Sequence, residues 1–128
     1  MRLLLLLLPI LIFAQNREES FLSDIEYGKM LYNNPRGIAC SKCHGKTGKG
    51  GQKIAKYYDK YGNPKLLKGV SIINYTFEQL KASLNNNLRD KKNHRVRHKI
   101  MPLYYLTDKE IKAIYKYLQS VKDKEEEY

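Results

Sequence analysis

The two cysteines constrain this chain more than any other feature of its sequence. They are Cys40 and Cys43, and His44 follows directly. Five glycines lie in the surrounding stretch 37–51, which predicts a loop rather than a regular element. The chain has 128 residues, which allows one small domain. A domain of this size buries only about two-thirds of its unfolded surface, so a large apolar cofactor would help to stabilise it.

The N-terminus has the pattern of an export signal. Arg2 precedes an apolar run, Leu3–Phe13, which ends at the small residue Ala14. Eleven residues fall short of the roughly 20 that a membrane-spanning helix needs. The sequence therefore predicts a cleaved signal peptide (1–14) and a periplasmic protein, for which membrane association is possible but not required. Retention of the segment as an anchor stays open, and export excludes nucleic acid as the partner of the basic residues.

The rest of the chain predicts an all-α domain. A lead-in (15–22) precedes the domain (23–121), and a charged, disordered tail (122–128) follows it. Three serine or threonine residues, each followed three positions later by Glu or Gln, predict helix starts at Ser23, Thr76 and Thr107. The first helix should stop near Asn33-Asn34-Pro35, the second should run over Thr76–Leu84, and the last should extend toward Lys124. A further short helix is expected over Lys53–Tyr61, and no segment alternates as a strand does.

The motif Cys40-Ser41-Lys42-Cys43-His44 is the attachment signature of c-type haem. Two thiols at this spacing can each add to one vinyl group of the same porphyrin, and the adjacent histidine then serves as the proximal iron ligand. A disulfide would close a very short loop and stabilise little. A thioredoxin-like site would need flanking strands. Zinc held with His94 and His98 would need a much shorter gap than the 50 residues after Cys43.

The chain resembles the class I c-type cytochromes from residue 23 to residue 121. The resemblance rests on Ala39–Gly45, Met101-Pro102 and the final segment Leu106–Leu118, together with Gly28 and Tyr32 in the first helix. It implies a helical fold wrapped around one covalent haem c, and one-electron transfer rather than enzymatic catalysis. It also implies that the first and last helices cross closely, with Gly28 and Tyr117 at the crossing. A carbonyl at Pro64 is expected to accept from the proximal His44 ring, although the insert 56–61 makes this gap longer than in compact members.

Met101 is the predicted sixth ligand of the iron, because the family places a Met-Pro step shortly before the last helix. A thioether ligand raises the reduction potential relative to a second imidazole. His94 and His98 are its rivals, but both lie in a strongly basic run that favours exposure. Met30 lies in the first helix, where a methionine usually packs in the core.

Positive charge is concentrated in the middle of the chain. Residues 42–99 hold fifteen Lys and Arg against three acidic residues, whereas the whole chain carries +11. This predicts either a solvated basic face or a docking surface for anionic lipid or for an acidic redox partner such as an oxidase or a reductase. The expected function is a monomeric, exported, single-haem electron carrier of a respiratory chain. The alternatives are a haem c subunit of a larger oxidoreductase complex and a haem protein that binds small molecules.

Overall fold

The computed structural model describes residues 22–96 and 100–127. The elements, in chain order, are α1 (Asp24–Asn33), α2 (Cys40–His44), β1 (Lys53–Tyr58), β2 (Pro64–Lys68), α3 (Phe77–Leu84) and α4 (Asp108–Glu126). None of the helices in these two ranges is both long enough and apolar enough to cross a membrane. The predicted signal peptide (1–14), the lead-in (15–22) apart from Leu22, and His98 lie outside the described residues.

The three longer helices begin where the sequence predicts. At Ser23, Thr76 and Thr107 the hydroxyl oxygen accepts from the backbone N–H three residues later. In each case the Glu or Gln at that later position accepts from the N-cap backbone N–H in return. These reciprocal bonds satisfy two of the amides that a helix start leaves unpaired, which fixes each first turn.

The crossing of α1 and α4 forms the centre of the domain. A Cβ atom on Gly28 would lie 1.9 Å from the carbonyl oxygen of Ala113, so the two backbones touch directly. The close crossing predicted at Gly28 is therefore confirmed. The ring of Tyr117 packs against Tyr32, with 5.5 Å between ring centroids. The largest fully buried side chains all belong to these two helices: Tyr32, Ile111, Ile114 and Leu118.

The predicted helix over Lys53–Tyr61 is wrong, because this segment is a strand and a turn. Strand β1 pairs antiparallel with β2, with Tyr58 opposite Pro64. The carboxylate of Asp59 closes the turn by accepting from the backbone N–H groups of Tyr61 at 2.9 Å and Asn63 at 3.0 Å. The expectation of an all-α chain without strands is therefore only roughly correct. The helical core is present, and a two-stranded hairpin is added to it.

Two stretches that the sequence predicts to be irregular are helical. One is α2, which lies inside the glycine-rich segment and contains both cysteines. The other is the tail, since α4 continues to Glu126 where disorder is expected from residue 122. Negative side chains are unfavourable at the C-terminal end of a helix. The ammonium of Lys49 lies 2.5 Å from a carboxylate oxygen of Glu125, and it offsets part of that negative charge.

Candidate functional site

A cavity of about 420 Å³ lies between α2, the base of the hairpin and the segment that precedes α4. This volume falls in the usual range for ligand pockets, about 300–1,000 Å³. Its lining is mostly apolar, and Cys40, Cys43, His44 and Met101 all contribute to it. A second, much smaller cavity shares Cys40, His44 and Met101 and reaches Tyr32 in the core. The residues predicted to bind the cofactor and its iron therefore come together around one space.

Helix α2 sets the positions of the two thiols. Residues three apart on a helix lie on the same face, so Cys40 and Cys43 are neighbours across one turn. Cys40 is 8% exposed, and burial raises the pKa of its thiol to about 11. Cys40 and Cys43 are not joined by a disulfide.

The ring of His44 is oriented by a backbone carbonyl. Its Nδ1 lies 2.8 Å from the carbonyl oxygen of Val70, which fits an N–H that donates to this oxygen. With the proton held on Nδ1, the lone pair of Nε2 is left for a metal, and the hydrogen bond makes the ring a stronger ligand. The sequence predicts Pro64 for this role, and that prediction is wrong. Pro64 begins β2 and faces Tyr58, so the acceptor is Val70.

Gly69 allows Val70 to reach the histidine. A Cβ atom at Gly69 would lie 1.6 Å from the carbonyl oxygen of Cys43, so the two backbones can be this close only if residue 69 is glycine. The N–H of Gly69 donates to Gln52 at 2.9 Å, and its carbonyl accepts from Gly51 at 2.8 Å. The segment after β2 is thereby held against α2, with the carbonyl of Val70 at His44.

Met101 lines the same cavity as His44, whereas His94, one of its two predicted rivals, does not. The side chain of His94 is 73% exposed and lies 3.4 Å from Asp90 on the surface. His98 lies outside the described residues. Met30 is 55% exposed on α1, so it is not the core residue that the sequence predicts. In the described ranges, which do not include His98, no three His, Cys, Asp or Glu side chains are grouped as metal ligands.

Two tyrosines fix the chain just after His44. The hydroxyl of Tyr32 donates to the carbonyl of Gly45 at 2.6 Å, and that of Tyr117 donates to Lys46 at 3.1 Å. Burial raises the pKa of both phenols, so they remain protonated donors at neutral pH. The core formed by α1 and α4 is in this way connected directly to the end of α2.

Sequence reasoning missed several residues that line the cavity. Ile54 and Leu67 reach it from the hairpin, and Tyr104 reaches it from the segment after Met101. The hairpin residues could have been found only if β1 and β2 had been recognised as strands. Val70 acts through its backbone, so its side chain carries no signal for this role. Tyr104 stands three residues after Met101, and that proximity was the one available indication.

The donor set fits a haem group. The mostly apolar cavity is surrounded by two thiols one helical turn apart, an oriented imidazole and a thioether. These are the groups by which a helical protein binds haem c.

The comparison with protein families agrees with this class. The cytochrome c family matches residues 25–122, and the chain belongs to that family. Its cofactor is covalently attached haem c, and its general activity is haem-based electron transfer. Comparisons with curated proteins and with solved structures gave no match.

Proposed function

We propose that this protein is an exported, single-haem class I cytochrome c that carries one electron at a time in a periplasmic respiratory chain. The observation that carries the proposal is the convergence of Cys40, Cys43, His44 and Met101 on one mostly apolar cavity. The predicted signal peptide supports export, and haem c is attached outside the cytoplasm in bacteria. The bound haem supplies an iron centre that gains and loses a single electron.

Each of the four residues has a distinct role in this proposal. The thiols of Cys40 and Cys43 each form a thioether by adding sulfur to one carbon of a vinyl group and hydrogen to the other. His44 supplies Nε2 as the proximal ligand, while its Nδ1–H donates to the carbonyl oxygen of Val70. Met101 supplies the distal thioether, which raises the reduction potential relative to a second histidine.

The residues that surround the site are mostly apolar. Ile54 and Leu67 cover it from the hairpin, and Ile72 lines it from the segment after β2. A dry, apolar shell is one of the features by which a protein controls the redox potential of its metal. The hairpin is therefore proposed to be part of the haem pocket rather than a surface appendage.

We expect Met101→Ala to keep the haem attached and to change its electronic state. Both thioether bonds and His44 remain in this variant, so the mass of the purified protein still includes the haem. Loss of the thioether removes the weak sulfur-to-iron charge-transfer band of the ferric protein and lowers the reduction potential. The measurements are ferric and reduced absorption spectra, followed by a potentiometric titration.

Met30→Ala is the matched control for this experiment, since Met30 is exposed on α1 and does not line the cavity. It should leave the band and the potential unchanged. An unchanged spectrum in Met101→Ala would show that another side chain is the ligand. A high-spin spectrum in the unmodified ferric protein would instead favour an open site and a small-molecule-binding haem protein.

The proposed partner is an acidic redox protein such as an oxidase or a reductase. The hairpin supports this, because its lysines are exposed and its base lines the cavity. Residues 53–68 hold five lysines, which are Lys53, Lys56, Lys60, Lys65 and Lys68, against the single acidic residue Asp59. Lys49, by contrast, is already paired with Glu125 at the end of α4. The hairpin is therefore a stronger candidate for docking than the lysines that follow α2.

We expect charge reversal on the hairpin to slow electron transfer to an anionic oxidant. The variant is Lys53→Glu, Lys56→Glu and Lys60→Glu combined, and the probe is ferricyanide reacting with the reduced protein in a stopped-flow experiment. Electrostatic steering changes association rates by about tenfold or more, so we expect a loss of about tenfold at low salt. The loss should shrink as the Debye length falls from about 10 Å at 0.1 M to about 3 Å at 1 M.

The matched control reverses three exposed lysines of α4, namely Lys109, Lys112 and Lys124, which produces the same change in net charge. It should slow the reaction much less, because α4 packs on α1 and its lysines do not line the cavity. A cationic oxidant, tris(phenanthroline)cobalt(III), should react faster with the hairpin variant. If both triple variants respond equally, only net charge matters and the docking surface is not the hairpin.

A further inference from the structure

Two segments that flank the site are joined by side-chain hydrogen bonds. One is the segment 36–39, which leads directly into Cys40. The other is residues 100–106, called here the Met loop because it contains Met101. The hydroxyl of Tyr104 in the Met loop donates to the carbonyl of Ile38 at 2.7 Å. The Tyr104 ring also lines the cavity, and burial raises the pKa of its phenol to about 12, so it stays a donor at neutral pH.

Arg36 makes a second connection, which joins the segment 36–39 to the Met loop at Tyr105 and to α4 at Glu110. Its guanidinium donates to both carboxylate oxygens of Glu110, at 2.8 and 3.0 Å, and to the carbonyl of Tyr105 at 3.0 Å. Glu110 also accepts from the backbone N–H of Thr107 at 2.7 Å, and its side chain is only 12% exposed. The N–H donors of a guanidinium form a planar fork, so its charge-assisted hydrogen bonds to a carboxylate have a defined geometry. The hydrogen bond from Arg36 is the main cause that lowers the pKa of Glu110 to about 2.

In the part of the chain that the structure describes, the first hydrogen bonds after Met101 are made by Tyr104 and Tyr105. The next is made by the backbone of Thr107, at the start of α4. The position of Met101 at the cavity therefore depends on the hydrogen bonds that hold residues 104–107 in place. We call the Tyr104–Ile38 bond together with the contacts of Arg36 to Tyr105 and Glu110 the clasp.

We infer that Arg36 and Tyr104 are positioning residues that keep the Met loop closed and so determine how readily an outside ligand displaces Met101. The inference rests on the proposed role of Met101 as the distal ligand. An outside ligand binds only when the loop opens, so its apparent affinity is the intrinsic affinity multiplied by the open fraction. Bonds that exist only in the closed loop lower that fraction, and removing them raises it.

The test is an imidazole titration of the ferric haem-bound protein, in which loss of the sulfur-to-iron band reports the displacement of Met101. Tyr104→Phe removes one hydrogen bond, so we expect the apparent dissociation constant to fall about fivefold. Arg36→Gln removes the hydrogen bond from a charged donor to the Tyr105 carbonyl, and we expect a fall of about tenfold or more. Arg36→Lys keeps the charge but loses the planar fork of donors. Its apparent dissociation constant for imidazole should lie between those of Arg36→Gln and the unmodified protein.

Two controls separate the clasp from general stability. Tyr105→Phe changes a neighbouring phenol that is 91% exposed. Lys81→Gln removes another ion pair to the first turn of α4, in which Lys81 lies 2.6 Å from Asp108. Both should leave imidazole affinity within about twofold of the unmodified protein, since neither change removes a bond of the clasp.

The possible results are distinguishable. Unchanged imidazole affinity in Tyr104→Phe and Arg36→Gln, with the band present, overturns the inference and leaves the proposed function intact. Equal increases in the clasp variants and the controls also overturn it, because the effect would then be general loosening. Absence of the band in the unmodified protein overturns both, since Met101 would not be the ligand. An increase confined to the clasp variants supports the inference.

Discussion

Replacing both Cys40 and Cys43 by Ala will leave a chain that carries no covalent haem and does not fold fully. The double variant removes the sulfur atoms needed for both thioether bonds. The cavity of about 420 Å³ then remains inside a small domain whose own core is limited. The loss of haem is measured as intact mass after denaturation. Folding is measured by circular dichroism and thermal unfolding, where we expect a weak helical signal without a cooperative transition.

Ser41→Ala is the control for this experiment, because Ser41 lies between the two cysteines in α2 and has no thiol. It should retain the haem mass and a cooperative unfolding transition. Each single cysteine variant should yield less attached haem than the unmodified protein, since one thioether bond is lost. A double cysteine variant that folds fully without haem would show that the polypeptide core is sufficient by itself.

The helical framework could be predicted because its signals are local. At Ser23, Thr76 and Thr107 the N-cap hydroxyl and the side chain three residues later satisfy backbone groups within a single turn. No distant part of the chain is needed to form these contacts. Gly28 was also identified correctly, because a close helix crossing requires a residue without a side chain and the family resemblance located it.

The hairpin was missed because its strands lack a buried face. Along β1 only Ile54 and Ala55 are partly buried, and in β2 only Leu67 is. Alternation of polar and apolar residues arises when one face of a sheet packs on a core, so an exposed ribbon shows little of it. Its geometry instead depends on the turn at Asp59 and on Gly62, whose φ is +79°.

The four predicted cofactor residues could be named from the motif and the family resemblance, but the groups that orient them could not. Cys40, Cys43 and His44 form a contiguous motif, and Met101 was found by resemblance. The carbonyl of Val70 has no side-chain identity, and its position depends on the approach of Gly69 to Cys43. Such contacts join distant parts of the chain through the backbone, and a single sequence does not encode them in any local pattern.

The second large effect is expected at the crossing of α1 and α4. In Gly28→Ala the added methyl group would lie 1.9 Å from the carbonyl oxygen of Ala113. Neither atom belongs to a flexible side chain, so the two helices must separate. Overpacking of a core costs about 1–3 kcal/mol, and we expect a loss at the upper end, about 3 kcal/mol. For a domain of this size that corresponds to a fall of about 10 °C or more in Tm, measured by thermal unfolding of the haem-bound protein.

The matched control is Gly37→Ala, in which the added methyl group meets its nearest neighbour, an atom of the Tyr104 ring, at 3.5 Å. That is an ordinary contact, so Tm should change by no more than about 4 °C. This corresponds to a change of about 0.5 kcal/mol in the free energy of unfolding. Separation of α1 from α4 also moves Tyr32 and Tyr117, which hold the carbonyls of Gly45 and Lys46 just after His44. Gly28→Ala should therefore also disturb the haem spectrum. Equal stability of the two variants would mean that the helices do not touch backbone to backbone at Gly28.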